Sequence, residues 1–159
     1  MKLSIIVPYD RYKNYLYDCL ESISQQQIKD YETLLIISDE NQIDDDLKKY
    51  DVNLKIINAG IDSNVAKKRN IGIDNASGDY LYFIDCDDYL MKDTLSLLLE
   101  KATNNDLDLV SGIRKFTWFK KKVFETMDDE KNDELDLKDK DHDRKNKFIN
   151  KVYDETNSS

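Results

Sequence analysis

Apolar and polar positions along the first hundred residues predict strands and helices in turn. Residues 3–7 form a short β-branched run halted by Pro8, the pattern of a strand buried on both faces and followed by a turn. Tyr12, Tyr15, Leu16, Cys19, Leu20 and Ile23 then recur at helical spacing, which predicts an amphipathic helix with one apolar stripe. Residues 34–37 predict a second buried strand, closed by Ser38-Asp39-Glu40-Asn41, whose short polar side chains favour turns and helix caps. Residues 54–57 predict a third, closed by Asn58-Ala59-Gly60. A helix over residues 63–76 is expected to stop at Ser77-Gly78, where glycine suits a left-handed cap. Residues 80–84 form a fourth apolar run that leads straight into Asp85-Cys86-Asp87-Asp88, and Leu95, Leu98, Leu99 and Ala102 mark another helix. Residues 107–110 predict a fifth strand.

Apolar runs without alternation, separated by helices, indicate an α/β chain with a mostly parallel sheet covered on both faces. Ligands are then expected beyond the carboxyl ends of the strands. The regular pattern ends there. Residues 116–124, with Trp118 and Phe119, are apolar and basic and suit a strand or hairpin. Between Asp128 and Lys147 only Leu135 and Leu137 are strongly apolar, too few to offset the entropy of ordering that stretch, so a flexible loop or tail is expected. Phe148, Ile149, Val152 and Tyr153 suit one short amphipathic turn. The expected division is a folded domain over 1–127, an acidic segment over 128–147 and a short C-terminal piece over 148–159.

Composition narrows the picture. A chain of 159 residues with 40% hydrophobic positions can bury a real core. Its net charge of −9 gives no electrostatic footprint for nucleic acid. Residues 128–143 hold nine acids against three lysines, so most of that charge is local. Cys19 and Cys86 lack metal-site or disulfide spacing, which suits a reducing cytoplasm. The apolar run at the start is too brief for a signal peptide, and no stretch approaches the roughly 18 apolar residues of a membrane span. The chain is therefore expected to be cytoplasmic, free or peripheral at the inner face of the membrane.

The candidate chemistry lies after the fourth strand. Asp85, Asp87 and Asp88 arrive together at one strand end, where like charges repel unless a cation sits among them. Hard carboxylate ligands suit Mg²⁺ or Mn²⁺, ions that commonly complete their shell with phosphate oxygens. Asp39 ends another strand, and Arg69 with Lys67 and Lys68 opens a helix aimed at the same edge, which supplies the positive charge a diphosphate needs. Helix capping is the plainer use of such aspartates. His142 lies between two acids and reads as exposed, and Cys86 reads as a small apolar filler.

These residues carry a resemblance to the family 2 glycosyltransferases and their GT-A fold, a Rossmann-like three-layer sandwich. Ser4-Ile5-Ile6-Val7-Pro8, Tyr15-Leu16 and Leu20-Glu21-Ser22-Ile23 resemble the family's opening strand and helix. Arg69-Asn70-Ile71-Gly72, Ala76-Ser77-Gly78-Asp79-Tyr80 and Asp85-Cys86-Asp87-Asp88 resemble its later motifs, and the match covers roughly residues 2–112. The resemblance implies a donor-binding portion that ends before the full acceptor half. It implies that Pro8 and Tyr9 line a uridine site, Asp39 recognises the base, Arg69 and Asp85 serve the ribose and diphosphate, and Asp87 ligates Mn²⁺ or Mg²⁺. The chain departs from the family pattern at Asp10-Arg11 and at Glu40-Asn41.

The expected function is transfer of a sugar, with inversion, from a UDP-sugar to a glycan, polyol-phosphate or protein-linked acceptor in cell-surface polysaccharide biosynthesis. No catalytic base is assigned; Glu125, Asp128 and Asp141 all lie in or beside the acidic segment. An oligomer or partner chain is left open. Two other readings stand beside it. One is a nucleotide-sugar-binding module without turnover. The other is a haloacid-dehalogenase-like phosphatase, because Tyr82-Phe83-Ile84-Asp85-Cys86-Asp87 also resembles that family's nucleophile strand, although three strands precede it here.

Overall fold

The computed structural model describes residues 1–11 and 13–112. Four parallel strands, β1 (Leu3–Pro8), β2 (Tyr31–Ile37), β3 (Leu54–Asn58) and β4 (Tyr80–Phe83), form one sheet in the order β3-β2-β1-β4. Helix α1 (Lys13–Ser24) joins β1 to β2, and α2 (Val65–Asn75) joins β3 to β4. The chain divides into two compact units after Leu90, and α3 (Thr94–Asn104) belongs to the second. The expected boundaries at 127 and 147 lie outside the described residues, as do the stretches 116–124 and 148–153.

Inside the first unit, β1 is central and buried along its whole length. Its even positions share a face with their β2 partners: Ser4 pairs with Glu32 and Ile6 with Leu34. On that face Ile6, Leu34, Ile36 and Ala59 form a core cluster with Ile57, Ile71 and Ala76 packed against it. The glycine of α2 explains how close the helix lies: a Cβ on Gly72 would stand 2.4 Å from Ile6 Cγ2. Leu3, Ile5, Val7, Leu35 and Ile37 are buried on the opposite face. Parallel crossovers are right-handed, and the chain moves one way along the sheet from β1 to β2 and the other way from β3 to β4, so α1 covers the face that α2 leaves. Leu16, Cys19, Leu20 and Ile23 form its buried stripe. Tyr15 is 48% exposed and lies off that stripe, while Tyr12 is outside the described residues.

Four expectations are corrected. β2 starts at Tyr31, before the apolar run, because Leu3 and Ser4 of β1 offer ladder partners to Tyr31 and Glu32. Cover on both faces holds for β1 and most of β2; β3 and β4 are edges among the described residues, with Ile56, Leu81 and Phe83 at 42%, 39% and 41% exposure. Residues 107–110 form no strand. After α3 the chain turns through Asp106 at φ 52°, Leu107 donates back to the Ala102 carbonyl at 2.9 Å, and no described strand pairs with the run. Gly78, finally, is not left-handed. It is required by space, since a Cβ there would meet the Ser4 nitrogen at 2.6 Å.

That contact is part of a polar staple across the amino-terminal edge of the sheet. The Ser4 hydroxyl donates to Glu32 at 2.7 Å and accepts from the Gly78 N–H at 2.9 Å. Ser77 donates to the same Glu32 oxygen from both its N–H and its hydroxyl, each at 2.7 Å. One carboxylate therefore ties β2 to β1 and to the entry of β4. Burial pushes the Glu32 carboxyl up, but the Ser77 and Ser4 hydrogen bonds and the Lys2 charge outweigh it and hold the group down at about 2.

Two outcomes follow from this packing. Gly72→Ala forces α2 away from Ile6 and is expected to cost about 1–3 kcal/mol, read as a lower urea midpoint. The Glu32 carboxyl titrates lower in the folded chain than its ordinary 4.5, so its stabilisation is present above that value and is lost as pH falls toward about 2. Glu32→Gln should lower the midpoint at pH 7 and flatten its decline between pH values of roughly 4.5 and 2; an equally steep acid decline in the variant would refute the assignment.

Candidate functional site

At the carboxyl edge the chain steps from β1 through β2 to β3, then crosses back to place β4 on the other side of β1. The reversal falls between β1 and β4, and loops that part at such a point leave a crevice. Pro8 ends β1 and Tyr9 follows it, both buried, with Tyr9 3% exposed and its N–H donated to the Ile36 carbonyl at 2.8 Å. Asp39 follows β2 and Asp85 follows β4. The ends of those two strands are two strand spacings apart, roughly 10 Å, with β1 between them.

Arg69, in the second turn of α2, meets Asp85: Nη2 stands 2.6 Å from Oδ1. The two side chains are 40% and 38% exposed, and the Arg69 Nε is buried without a partner. The pair thus sits partly exposed at the end of β4. Asp87 is exposed two residues on, and a backbone bond from the Asp88 N–H to the Asp85 carbonyl at 2.9 Å closes the turn between them. Cys86 is buried as a filler, its Sγ 3.7 Å from the Arg11 carbonyl. Burial, with Asp87 and Asp85 adding to it, raises its thiol to about 11, so it is a poor nucleophile at neutral pH.

Asp39 caps the 3-10 turn Glu40–Gln42, accepting from the N–H and the side-chain amide of Asn41, each at 3.0 Å. The carboxylate keeps lone pairs for a further donor. Gln42 completes the capping box, its Oε1 taking the N–H groups of Ser38 and Asp39 at 2.9 and 3.0 Å. On the other side Asn64 caps α2 through the Lys67 N–H at 2.8 Å. Gly60 has φ 86°; the Ser63 N–H and hydroxyl both donate to its carbonyl, at 3.0 and 2.6 Å, and the Ser63 hydroxyl also lies 3.2 Å from that of Ser38.

Two residues of this edge escaped the reading of the sequence. Lys68, grouped there with Lys67 and Arg69 as positive charge for a diphosphate, is 2% exposed and donates to the Tyr9 carbonyl at 2.7 Å and to Asp10 Oδ1 at 3.2 Å. Gln42 donates to the Asp10 carbonyl at 2.6 Å. A signal for Lys68 existed: it lies four residues before Gly72, on the same buried side of α2. Glu125, Asp128, Asp141 and His142 are outside the described residues.

No group of three or more His, Cys, Asp or Glu side chains is gathered for a metal among the described residues. Asp87, exposed and without an ion pair there, suits a hard cation that draws its remaining oxygens from a bound phosphate and from water.

A profile described as "Glycosyl transferase family 2" matches residues 4–156. The chain belongs to glycosyltransferase family 2, and its sheet and flanking helices are of the GT-A type. It is 36% identical over 122 residues to the teichoic acid poly(glycerol phosphate) polymerase of Staphylococcus epidermidis, covering 73% of this chain and 17% of that protein. It is 37% identical over 108 residues to the GalNAc(5)-diNAcBac-PP-undecaprenol beta-1,3-glucosyltransferase of Campylobacter jejuni, covering 64% and 34%. Among solved structures, residues 1–349 of S. aureus TarS in complex with UDP match with a TM-score of 0.58 at 27% identity, over 67% of this chain and 33% of that one. The same fragment in complex with UDP-GlcNAc matches with a TM-score of 0.55 at 26% identity, over 67% and 32%. This chain spans a third or less of the length of most of these relatives. Family membership sets aside the phosphatase reading of Asp85-Cys86-Asp87.

Because Arg69 and Asp85 are both partly exposed, Arg69→Met is expected to lower stability by less than about 1 kcal/mol, measured as the urea midpoint at low and high salt. A larger loss would mean that the guanidinium is chiefly a structural tie.

Proposed function

We propose that the chain is the donor-binding portion of a transferase that moves a sugar from a UDP-sugar to a glycan, polyol-phosphate or protein-linked acceptor. The observation that carries the reading is the Arg69–Asp85 pair at the crevice beside β1, with Asp87 exposed two residues on. Relatives described as complexes with UDP and UDP-GlcNAc support the donor class, and a relative described as a teichoic acid polymerase supports the acceptor class. In this reading Pro8, Tyr9 and Asp39 serve the nucleoside. Asp85 holds the Arg69 guanidinium so that its remaining N–H groups can donate to the diphosphate. Asp87 holds Mn²⁺ or Mg²⁺, which when bound offsets the charge of the diphosphate leaving group. An acceptor hydroxyl then attacks the anomeric carbon from the side opposite the diphosphate and inverts it.

Work of this kind takes place where nucleotide sugars are made, in the cytoplasm or at the inner face of the membrane. No helix among the described residues is long and apolar enough to cross a membrane. A nucleotide-sugar-binding module without turnover is the second reading.

UDP with Mn²⁺ should raise the thermal midpoint, since ligand at about 100 times its dissociation constant adds about 2.7 kcal/mol. Asp87→Ala should abolish the Mn²⁺-dependent part of that shift and leave the free protein's midpoint unchanged, because it removes an exposed ligand and no packing. An undiminished Mn²⁺-dependent shift in the variant would overturn the role of Asp87. Release of UDP from a UDP-sugar separates transferase from binding module.

A further inference from the structure

The segment that follows β1 is gripped from two sides by groups that the donor chemistry above does not use. From α2 comes the buried ammonium of Lys68, bonded to the Tyr9 carbonyl and to the Asp10 carboxylate. From the turn after β2 comes Gln42, whose amide donates to the Asp10 carbonyl while its oxygen holds the N–H groups of Ser38 and Asp39. Asp10 is the joint between them: its side chain is bound to α2, and its backbone to the turn that carries Asp39.

A buried ammonium is an expensive way to fill space. Taking it out of water is unfavourable, and a hydrophobic residue of similar volume often stabilises a fold as well or better. Its other partner, Asp10, is 72% exposed, so that half of the pair adds little packing of its own. What Lys68 does secure is register. It precedes Arg69 on the same helical turn, so one turn of α2 both fixes the loop behind β1 and presents the guanidinium to Asp85.

We infer that Lys68, acting through Asp10 and Gln42, is a positioning residue for nucleoside recognition. It holds Tyr9 and Asp39 at a set distance from α2, so that the two ends of a nucleoside diphosphate are read from one rigid frame. The inference rests on the donor reading given above.

The test uses the whole 159-residue chain with Lys68→Met, Asp10→Ala and the double variant. UDP affinity is measured by calorimetry with Mn²⁺, and the thermal midpoint is measured without ligand. Each single change is expected to weaken UDP about tenfold, the scale of one charged hydrogen bond. The double variant should be no weaker than the worse single one, because both changes cut the same connection. The Asp10→Ala midpoint should stay put and that of Lys68→Met should hold or rise, while Asp10→Glu should recover most of the affinity. A scaffold role gives the reverse, lower midpoints with UDP affinity kept, and overturns the inference. If Lys68→Met does not fold, Asp10→Ala decides alone. An unaltered chain that fails to bind UDP sinks the donor reading and this inference with it; one that binds UDP equally well with and without Lys68 and Asp10 sinks only the inference.

Discussion

The contact between Gly72 and Ile6 is the constraint on which the rest of this molecule depends. A helix that carries a side chain at position 72 cannot lie where α2 lies, because the added carbon would overlap Ile6 by more than an ångström of ordinary contact distance. Close approach in turn decides what the preceding turn of α2 can reach. Lys68 is drawn under the end of β1 and Arg69 is carried to the end of β4. Packing in the core thus places charge at the rim, and the candidate site inherits its geometry from a missing methyl group.

The two edges of the sheet use polar chemistry in opposite ways. At the amino-terminal edge three hydrogen bonds and a lysine converge on one oxygen of Glu32, and the result is a closed joint among three segments. At the carboxyl edge the groups are only partly committed. Arg69 keeps a buried Nε without a partner, Asp87 is exposed, and Asp39 serves as a cap with lone pairs to spare. The partly exposed ion pair and the exposed carboxylate of that edge coincide with the topological reversal between β1 and β4, where a parallel sheet is expected to take a ligand.

This chain departs from the family pattern at Asp10-Arg11 and at Glu40-Asn41, and Gln42, the residue after the second pair, bridges to the first. Gln42 bonds to the Asp10 carbonyl and to the backbone on either side of the Asp39 peptide. Two departures that look independent along the sequence are one connected feature in space, which is the usual behaviour of residues that share a hydrogen-bond network.

Much was legible from the chain alone. β1, α1 and α3 appear where apolar spacing puts them, because burying a stripe or a run is decided locally, and α2 ends just before the Ser77-Gly78 stop. Asp85, Asp87, Asp39 and Arg69 were assigned to one sheet edge because alternating strands and helices in a parallel sheet deliver their ends there. Tertiary structure alone decided the rest. It separated Lys67 from Lys68, neighbours of the same charge, by rotation about the helix axis. It gave Glu32 its partners, which lie 28 and 45 residues away, and so extended β2 past its apolar run. It denied residues 107–110 a strand, since a strand exists only when another strand takes up its hydrogen bonds. Spacing along the chain determines which face a residue can occupy, whereas partnership across the fold depends on distances that no single segment contains.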